Sequence, residues 1–175
     1  WSSDVCSSDL VFRVGEEGVQ QLVVVGLGNP GKQYQLTRHN IGFLVAESLS
    51  QSQGLTFKAE KHFNAYVAKG GVGQKTLHVL MPTTYMNESG KAVRSYLDYH
   101  KLTAESLIVI ADDVAFPFGF VRVRESGGTG GHNGLKSLEA YLGTPRYARV
   151  RMGIGKNPSF IPLADYVLSP FNAEE

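Results

Sequence analysis

Leu22-Val23-Val24-Val25, followed by Gly26-Leu27-Gly28-Asn29-Pro30-Gly31-Lys32-Gln33-Tyr34-Gln35-Leu36-Thr37-Arg38-His39-Asn40, decides how this chain is read. The first four residues form a continuous β-branched-rich run, the pattern of a strand buried on both faces. The loop from Gly26 to Asn40 holds three glycines and a proline, then Arg-His-Asn. It runs into Ile41–Leu49, whose apolar residues at 41, 44, 45 and 49 recur at helical spacing and which Gly54 would stop. Strand, polar glycine-rich loop and helix in that order put the loop at the carboxyl end of a strand, where open α/β sheets hold their chemistry. Such a loop is a phosphate cradle, a catalytic loop or a plain turn.

The phosphate reading fails on its own requirements. Gly26-x-Gly28-x-x-Gly31 matches the dinucleotide fingerprint in form, but there a helix must start at once so that its N-terminus meets the pyrophosphate. Here Pro30 stands next to last and Lys32–Asn40 carries no helical stripe. The acidic residue about 20 positions on would be Glu47, in the middle of the predicted helix. No Walker lysine–serine sequence occurs either.

Outward from the loop, the 175 residues, 42% hydrophobic, suit one domain with a sizeable core. No apolar run approaches the roughly 18 to 20 residues of a membrane-spanning helix. One cysteine, Cys6, excludes an internal disulfide framework and a cysteine zinc site, as expected of a reducing, cytoplasmic setting. Residues 1–20 read as a leader, and Trp1–Leu10, with Ser-Ser-Asp occurring twice, as adapter-derived sequence; the domain is expected over 21–175. His62–Lys69 and Thr76–Met81 predict a hairpin turning near Gly70–Gly73. Pro82–Gly90 leads into a helix with Ala92, Val93, Tyr96 and Leu97 on its apolar face, and Leu107–Ala111 is a second buried strand ending at Asp112-Asp113. Phe120–Arg124 and Arg149–Ile154 alternate as strands, separated by the glycine-rich loop Ser126–Gly134 and a helix over Leu135–Leu142. The alternation predicts an α/β fold, a single domain with a twisted mixed β-sheet flanked by helices. Asn172 with Glu175 three residues on has the pattern of a helix start, so the domain reads as truncated before a C-terminal helix.

Charge is unevenly spread. From Gly119 to Lys156 seven basic residues (Arg122, Arg124, Lys136, Arg146, Arg149, Arg151, Lys156) stand against Glu125 and Glu139, a sector of +5 in a chain of net +1. That suits a polyanion-facing surface, and a solvated face reads the same from charge alone. His39 and Asp112 both lie at carboxyl ends of buried strands. A carboxylate accepting from one ring nitrogen fixes the imidazole tautomer and leaves the other nitrogen as a base for water. No competing nucleophile appears: there is no G-x-S-x-G elbow and no H-E-x-x-H. His62, His78 and His100 read as packing or surface residues; His132, in the second glycine-rich loop, is closer to chemistry. Asn29, Asn87 and Asn133 each precede a helix and singly read as caps or turns. Together they offer neutral amides able to grip a peptide backbone. Tyr34, Tyr85 and Met86 supply apolar or stacking surface, or simply pack.

Gly-Leu-Gly-Asn-Pro-Gly with Thr37-Arg38-His39-Asn40, then Pro82-Thr-Thr-Tyr-Met-Asn-Glu-Ser-Gly90, a strand ending in Asp112-Asp113, and Gly127-Gly-Thr-Gly-Gly-His-Asn-Gly134 resemble, in that order, the bacterial peptidyl-tRNA hydrolases. The resemblance covers about Leu22–Leu168. It implies an enzyme that hydrolyses the ester between a peptide and the 3′ ribose of tRNA, recycling tRNA from aborted translation, as a cytoplasmic monomer without metal or cofactor. It implies that His39 is the base, Asp112 its support and Asn29 the residue separating N-blocked from free aminoacyl-tRNA. Asn87, Asn133, Tyr34 and Tyr85 would bind substrate, His132 and Met86 line the same cleft, and Arg122, Arg124 and Arg151 meet tRNA phosphates. The chain departs from the family at Val114-Ala115-Phe116-Pro117, where Leu-Asp-Leu-Pro is usual, and at Thr129, where histidine is common. The competing reading is a non-catalytic RNA-binding relative. Retention of His39, Asp112, Asn29 and Asn87 together argues for the hydrolase, because a pure binder has no need of a base and its carboxylate.

Overall fold

The computed structural model describes residues 20–175, so the leader reading of residues 1–19 lies outside the described residues. The β-branched run forms β1 (Gln21–Gly26), the centre of a sheet completed by β2 (Lys58–Glu60), β3 (Ala65–Val72), β4 (Lys75–Pro82), β5 (Leu107–Asp113), β6 (Val121–Arg124) and β7 (Ala148–Gly153). The strand order is β2-β3-β4-β1-β5-β7-β6. β4, β1, β5 and β7 run parallel, while β3 pairs antiparallel with β4 and with edge strand β2, and edge strand β6 pairs antiparallel with β7. The mixed α/β sheet expected from the sequence is therefore present, flanked by α1 (Ile41–Ser52) on one face and by α2 (Ser89–Tyr99) and α3 (Asn133–Leu142) on the other. A short helix, α4 (Leu163–Val167), follows β7.

The parallel strands read as unbroken apolar runs because both faces are covered. Val23, Val25, Val109 and Ala111 join Tyr96, Leu97, Leu135 and Leu138 in one core layer; Val24, Ile110 and Val79 join Ala46 in the other. β1 lies between β4 and β5, with Gly26 in register with Ile110. The chain leaves β1 toward one side of the sheet and later returns on the other, so the ends of β1 and β5 form the switch point where such sheets bind ligands.

Some boundaries differ from those expected. β3 begins at Ala65, because Lys61–Phe63 forms a 3-10 turn ended by Asn64 in the left-handed region (φ 51°) and Phe63 turns into the core. The hairpin turns at Gly73-Gln74, two residues beyond the centre of the glycine cluster. β2, a three-residue edge strand, is too short to show alternation. Helix α3 starts at Asn133 because the His132 ring caps it. At the C-terminus Asn172 and Glu175 form the reciprocal capping contacts expected of them: Asn172 Oδ1 accepts from the backbone of Glu174 and Glu175, and the Glu175 carboxylate accepts from the Asn172 N–H.

Candidate active site

His39 sits in a 3-10 turn, Arg38–Asn40, which leads directly into α1. The turn is held from both sides. Buried Arg38 donates to Ser169 Oγ and to the Pro170 carbonyl, pairs with Glu175, and lies over the rings of Tyr166 and Phe171. Asn40, 1% exposed, makes a two-point clamp: its Oδ1 accepts from the Asn29 N–H and its Nδ2 donates to the Asn29 carbonyl, each at 2.9 Å. Asn29 in turn accepts the Met86 N–H on its own Oδ1 at 2.8 Å. Its side-chain oxygen is thus occupied, and the Nδ2 donor is the part of the amide left for a substrate.

His39 Nδ1 lies 2.8 Å from Asp112 Oδ1, as the strand-end argument anticipated. The same oxygen is 2.9 Å from His132 Nε2, and the two imidazole rings are 4.8 Å apart. Burial pushes the Asp112 carboxyl up, but the hydrogen bonds from His132 and His39 outweigh it and hold the group well below the usual carboxylate range. Asp112 is therefore an anion beneath two imidazoles. The ligand atoms of His39, Asp112 and His132 all lie within 4.8 Å of one another, close enough to be tested for metal binding. Chemically, such a metal would have to take the place of the ring protons that now face Asp112.

A cleft of about 320 Å³ opens over this group, lined by His39, Asp112, His132, Asn133, Arg151 and, on the far wall, the apolar side of α4 at Leu163, Ala164 and Val167. Of the residues expected at the site, five stand around it. Asn29 lines an adjoining hollow of about 580 Å³ together with Pro30, Lys32 and Phe43. Tyr34 is half-buried, while Tyr85 and Asn87 are exposed, Tyr85 immediately before the 3-10 turn Met86–Glu88 and Asn87 within it. Met86 is 4% exposed and belongs to the core; it supports Asn29 through its backbone rather than offering a surface.

Two of the arginines in the basic sector are not free cations. Arg151, expected against phosphate, donates from Nε to Asp113 Oδ2 at 3.0 Å and turns into the cleft. Arg149 is 1% exposed, donates to the carbonyls of Gly128 and Pro145 and stacks on Tyr147. Arg124 is exposed and Arg122 half-exposed on edge strand β6, where Arg122 lies over the Phe116 ring. Spacing alone did not single out Asn40 or Arg38 beside the histidine, because their partners, Asn29 and the 169–175 segment, are brought to them only by the fold.

A family model described as peptidyl-tRNA hydrolase matches residues 23–175. The chain belongs to the peptidyl-tRNA hydrolase family. Curated members include the peptidyl-tRNA hydrolase of Cytophaga hutchinsonii, 47% identical over 153 residues that cover 87% of this chain and 80% of that protein. The Anaeromyxobacter dehalogenans member is 48% identical over 149 residues, covering 85% and 77%. The crystal structure of peptidyl-tRNA hydrolase from Acinetobacter baumannii superposes with a TM-score of 0.84 at 33% identity, over 89% of this chain and 79% of that one. Family membership thus agrees with the resemblance carried by the four motifs. Among the described residues no helix is long and apolar enough to cross a membrane.

Proposed function

We propose that this chain hydrolyses the ester joining a peptide to the 3′ ribose of tRNA, with His39 as the base and Asp112 as its support. The observation that carries the reading is the 2.8 Å contact between His39 Nδ1 and buried Asp112 Oδ1, on the wall of an open cleft. With its Nδ1–H donated to Asp112, His39 keeps the Nε2 lone pair for water. Water attacks the ester carbonyl carbon and gives a proton to Nε2. The tetrahedral intermediate then expels the ribose 3′ oxygen, which takes that proton back from the imidazolium. The products are the peptide carboxylic acid and tRNA with a free 3′ hydroxyl.

Asn29, its side-chain oxygen held by the Met86 N–H and its backbone by Asn40, donates to the peptide and so favours N-blocked substrates. Asn133 and His132 border the same cleft, and Tyr34, Tyr85 and Asn87 contact the substrate beyond it. Arg122 and Arg124 meet tRNA phosphates, while Arg151 is retained in the cleft by Asp113 and serves there. The reaction uses groups of one chain, so the reading is of a monomer working in the cytoplasm, where its substrate arises.

Deacylation of N-acetyl-aminoacyl-tRNA tests this. His39→Ala should lose about 10²- to 10⁴-fold in kcat while still binding tRNA, and Asp112→Ala should lose activity as well. Full activity in His39→Ala would end the mechanism. A wild type that binds tRNA without deacylating it would favour the RNA-binding alternative.

A further inference from the structure

The second histidine on Asp112 has a defined protonation state that follows from its position. His132 precedes the ten-residue helix α3, and its Nδ1 accepts from the backbone N–H groups of Gly134 (3.1 Å) and Leu135 (3.3 Å). A nitrogen accepting two N–H donors carries a lone pair, so the ring proton sits on Nε2 and points at Asp112 Oδ1, 2.9 Å away. Protonating Nδ1 would set a cation against those donors at the positive end of a helix. The cap is closely fitted: a Cβ at Gly134 would lie 2.6 Å from Met86 Sδ and 3.1 Å from His132 Cε1.

We propose that His132 is a positioning residue, a neutral donor of fixed tautomer that orients Asp112 and, through it, sets the tautomer and basicity of His39. This rests on the reading of His39 as the base. Asp112 Oδ1 faces a nitrogen of each ring at under 3 Å. With the His132 proton fixed on Nε2, the carboxylate cannot rotate away without abandoning a buried N–H. Its oxygen remains in place for His39 Nδ1–H, leaving His39 Nε2 as the only ring nitrogen of the pair free to take a proton. His132 also draws on the carboxylate's charge and weakens its hold on a His39 cation. The remaining charged groups nearby do not compete: Asp113 and Arg151 pair with each other, Arg38 is turned to Glu175, and Asp165 of α4 is exposed and is not part of the cleft lining.

Two substitutions separate the capping function from the donor function. His132→Asn places an amide oxygen near the Nδ1 position and keeps the cap, but its side chain is too short to reach Asp112. His132→Gln carries its amide nitrogen to the Nε2 position and restores a donor that cannot titrate. In deacylation of N-acetyl-aminoacyl-tRNA, the acid limb of kcat/KM should move up by about half a pH unit or more in the Asn variant, since Asp112 then holds the His39 cation more strongly. It should return toward the wild-type position in the Gln variant. Histidine ¹⁵N spectra of the wild-type protein should show the His132 proton on Nε2 and a lone pair on Nδ1. A His132 that carries its proton on Nδ1 overturns the proposal, as do Asn and Gln variants with the same acid limb as wild type. The spectra are independent of turnover, so an active His39→Ala would end the hydrolase mechanism without deciding the state of His132.

Discussion

Replacing Asn40 tests whether the clamp behind the active loop matters as much as the groups that face substrate. The Asn40 amide is 1% exposed and makes two hydrogen bonds of 2.9 Å to the backbone N–H and C=O of Asn29. Asn40→Ala removes both partners and leaves two buried backbone groups unsatisfied, at about 1–3 kcal/mol each. Some relaxation toward the adjoining hollow reduces the sum, so the expected loss is about 2–5 kcal/mol. For a chain of this size that lowers Tm by roughly 5–15 °C. Asn40→Asp is the sharper variant: it keeps the acceptor for the Asn29 N–H but sets a carboxylate oxygen against the Asn29 carbonyl in place of a donor. Because Asn29 and His39 belong to one loop, freeing Asn29 should also cost activity, about 10²-fold in kcat/KM if the amide moves by an ångström. Thermal unfolding gives the first quantity, and deacylation of N-acetyl-aminoacyl-tRNA at a temperature where the variant is folded gives the second. An Asn40→Asp protein with wild-type Tm and kcat/KM would refute the clamp.

Three further outcomes are expected. Arg124→Ala should raise KM more than it lowers kcat and should flatten the salt dependence of kcat/KM by about one phosphate contact; no change in either removes Arg124 from the tRNA surface. Gly134→Ala should both destabilise the fold and reduce kcat, since the new Cβ meets Met86 Sδ at 2.6 Å and Leu27 Cδ1 at 2.9 Å and disturbs the ring that caps α3; unfolding and activity measurements together check this. His78 is buried between Tyr96 and Gln21, and burial, with Lys69 and His100 nearby, lowers it from 6.5 to about 4. The unfolded chain protonates this histidine below pH 6.5 while the folded chain resists until about 4. Its contribution is therefore intact above 6.5 and declines between those values, by up to about 3 kcal/mol. Denaturant unfolding across pH 4–7 should show the decline in wild type and a flatter profile in His78→Gln.

Local patterns made much of this molecule readable. The runs at Leu22–Val25 and Leu107–Ala111 announce doubly covered strands because parallel strands carry no polar face, and both are central in the sheet. That logic also reached His39 and Asp112, since Asp112 ends one buried run, His39 lies in the loop that follows the other, and the two strands are neighbours. Contacts between distant segments were not readable. The grip of Arg38 on residues 169–175 depends on where the chain returns after β7, and the pairing of Arg151 with Asp113 depends on the register of β7 against β5. A count of charges therefore overstated the cations available to a polyanion, because buried Arg149 and paired Arg151 look no different in sequence from exposed Arg124.

The glycines of the opening loop carry the most instructive difference. Glycine eases a tight turn, and one of the three is used that way. Gly31, at φ 112°, does need a glycine's backbone freedom. Gly26 and Gly28 instead let α1 approach: a Cβ at Gly26 would lie 2.2 Å from the Gly42 carbonyl oxygen, and one at Gly28 would lie 2.6 Å from the Phe43 ring. Gly42 answers from the helix side, where a Cβ would meet the Leu27 backbone at 2.5 Å and the Ile110 carbonyl at 2.6 Å. The first turn of α1 thus rests directly on the ends of β1 and β5. His39, two residues before that turn begins, is brought down beside Asp112 at the end of β5. A dinucleotide-binding fold uses its glycines partly for the same close helix–strand packing, which explains why the spacing looked alike. What differs is the use made of the helix start. Here two 3-10 turns, Lys32–Tyr34 and Arg38–Asn40, precede α1, and the atom delivered over the sheet is an imidazole nitrogen rather than a row of backbone N–H groups.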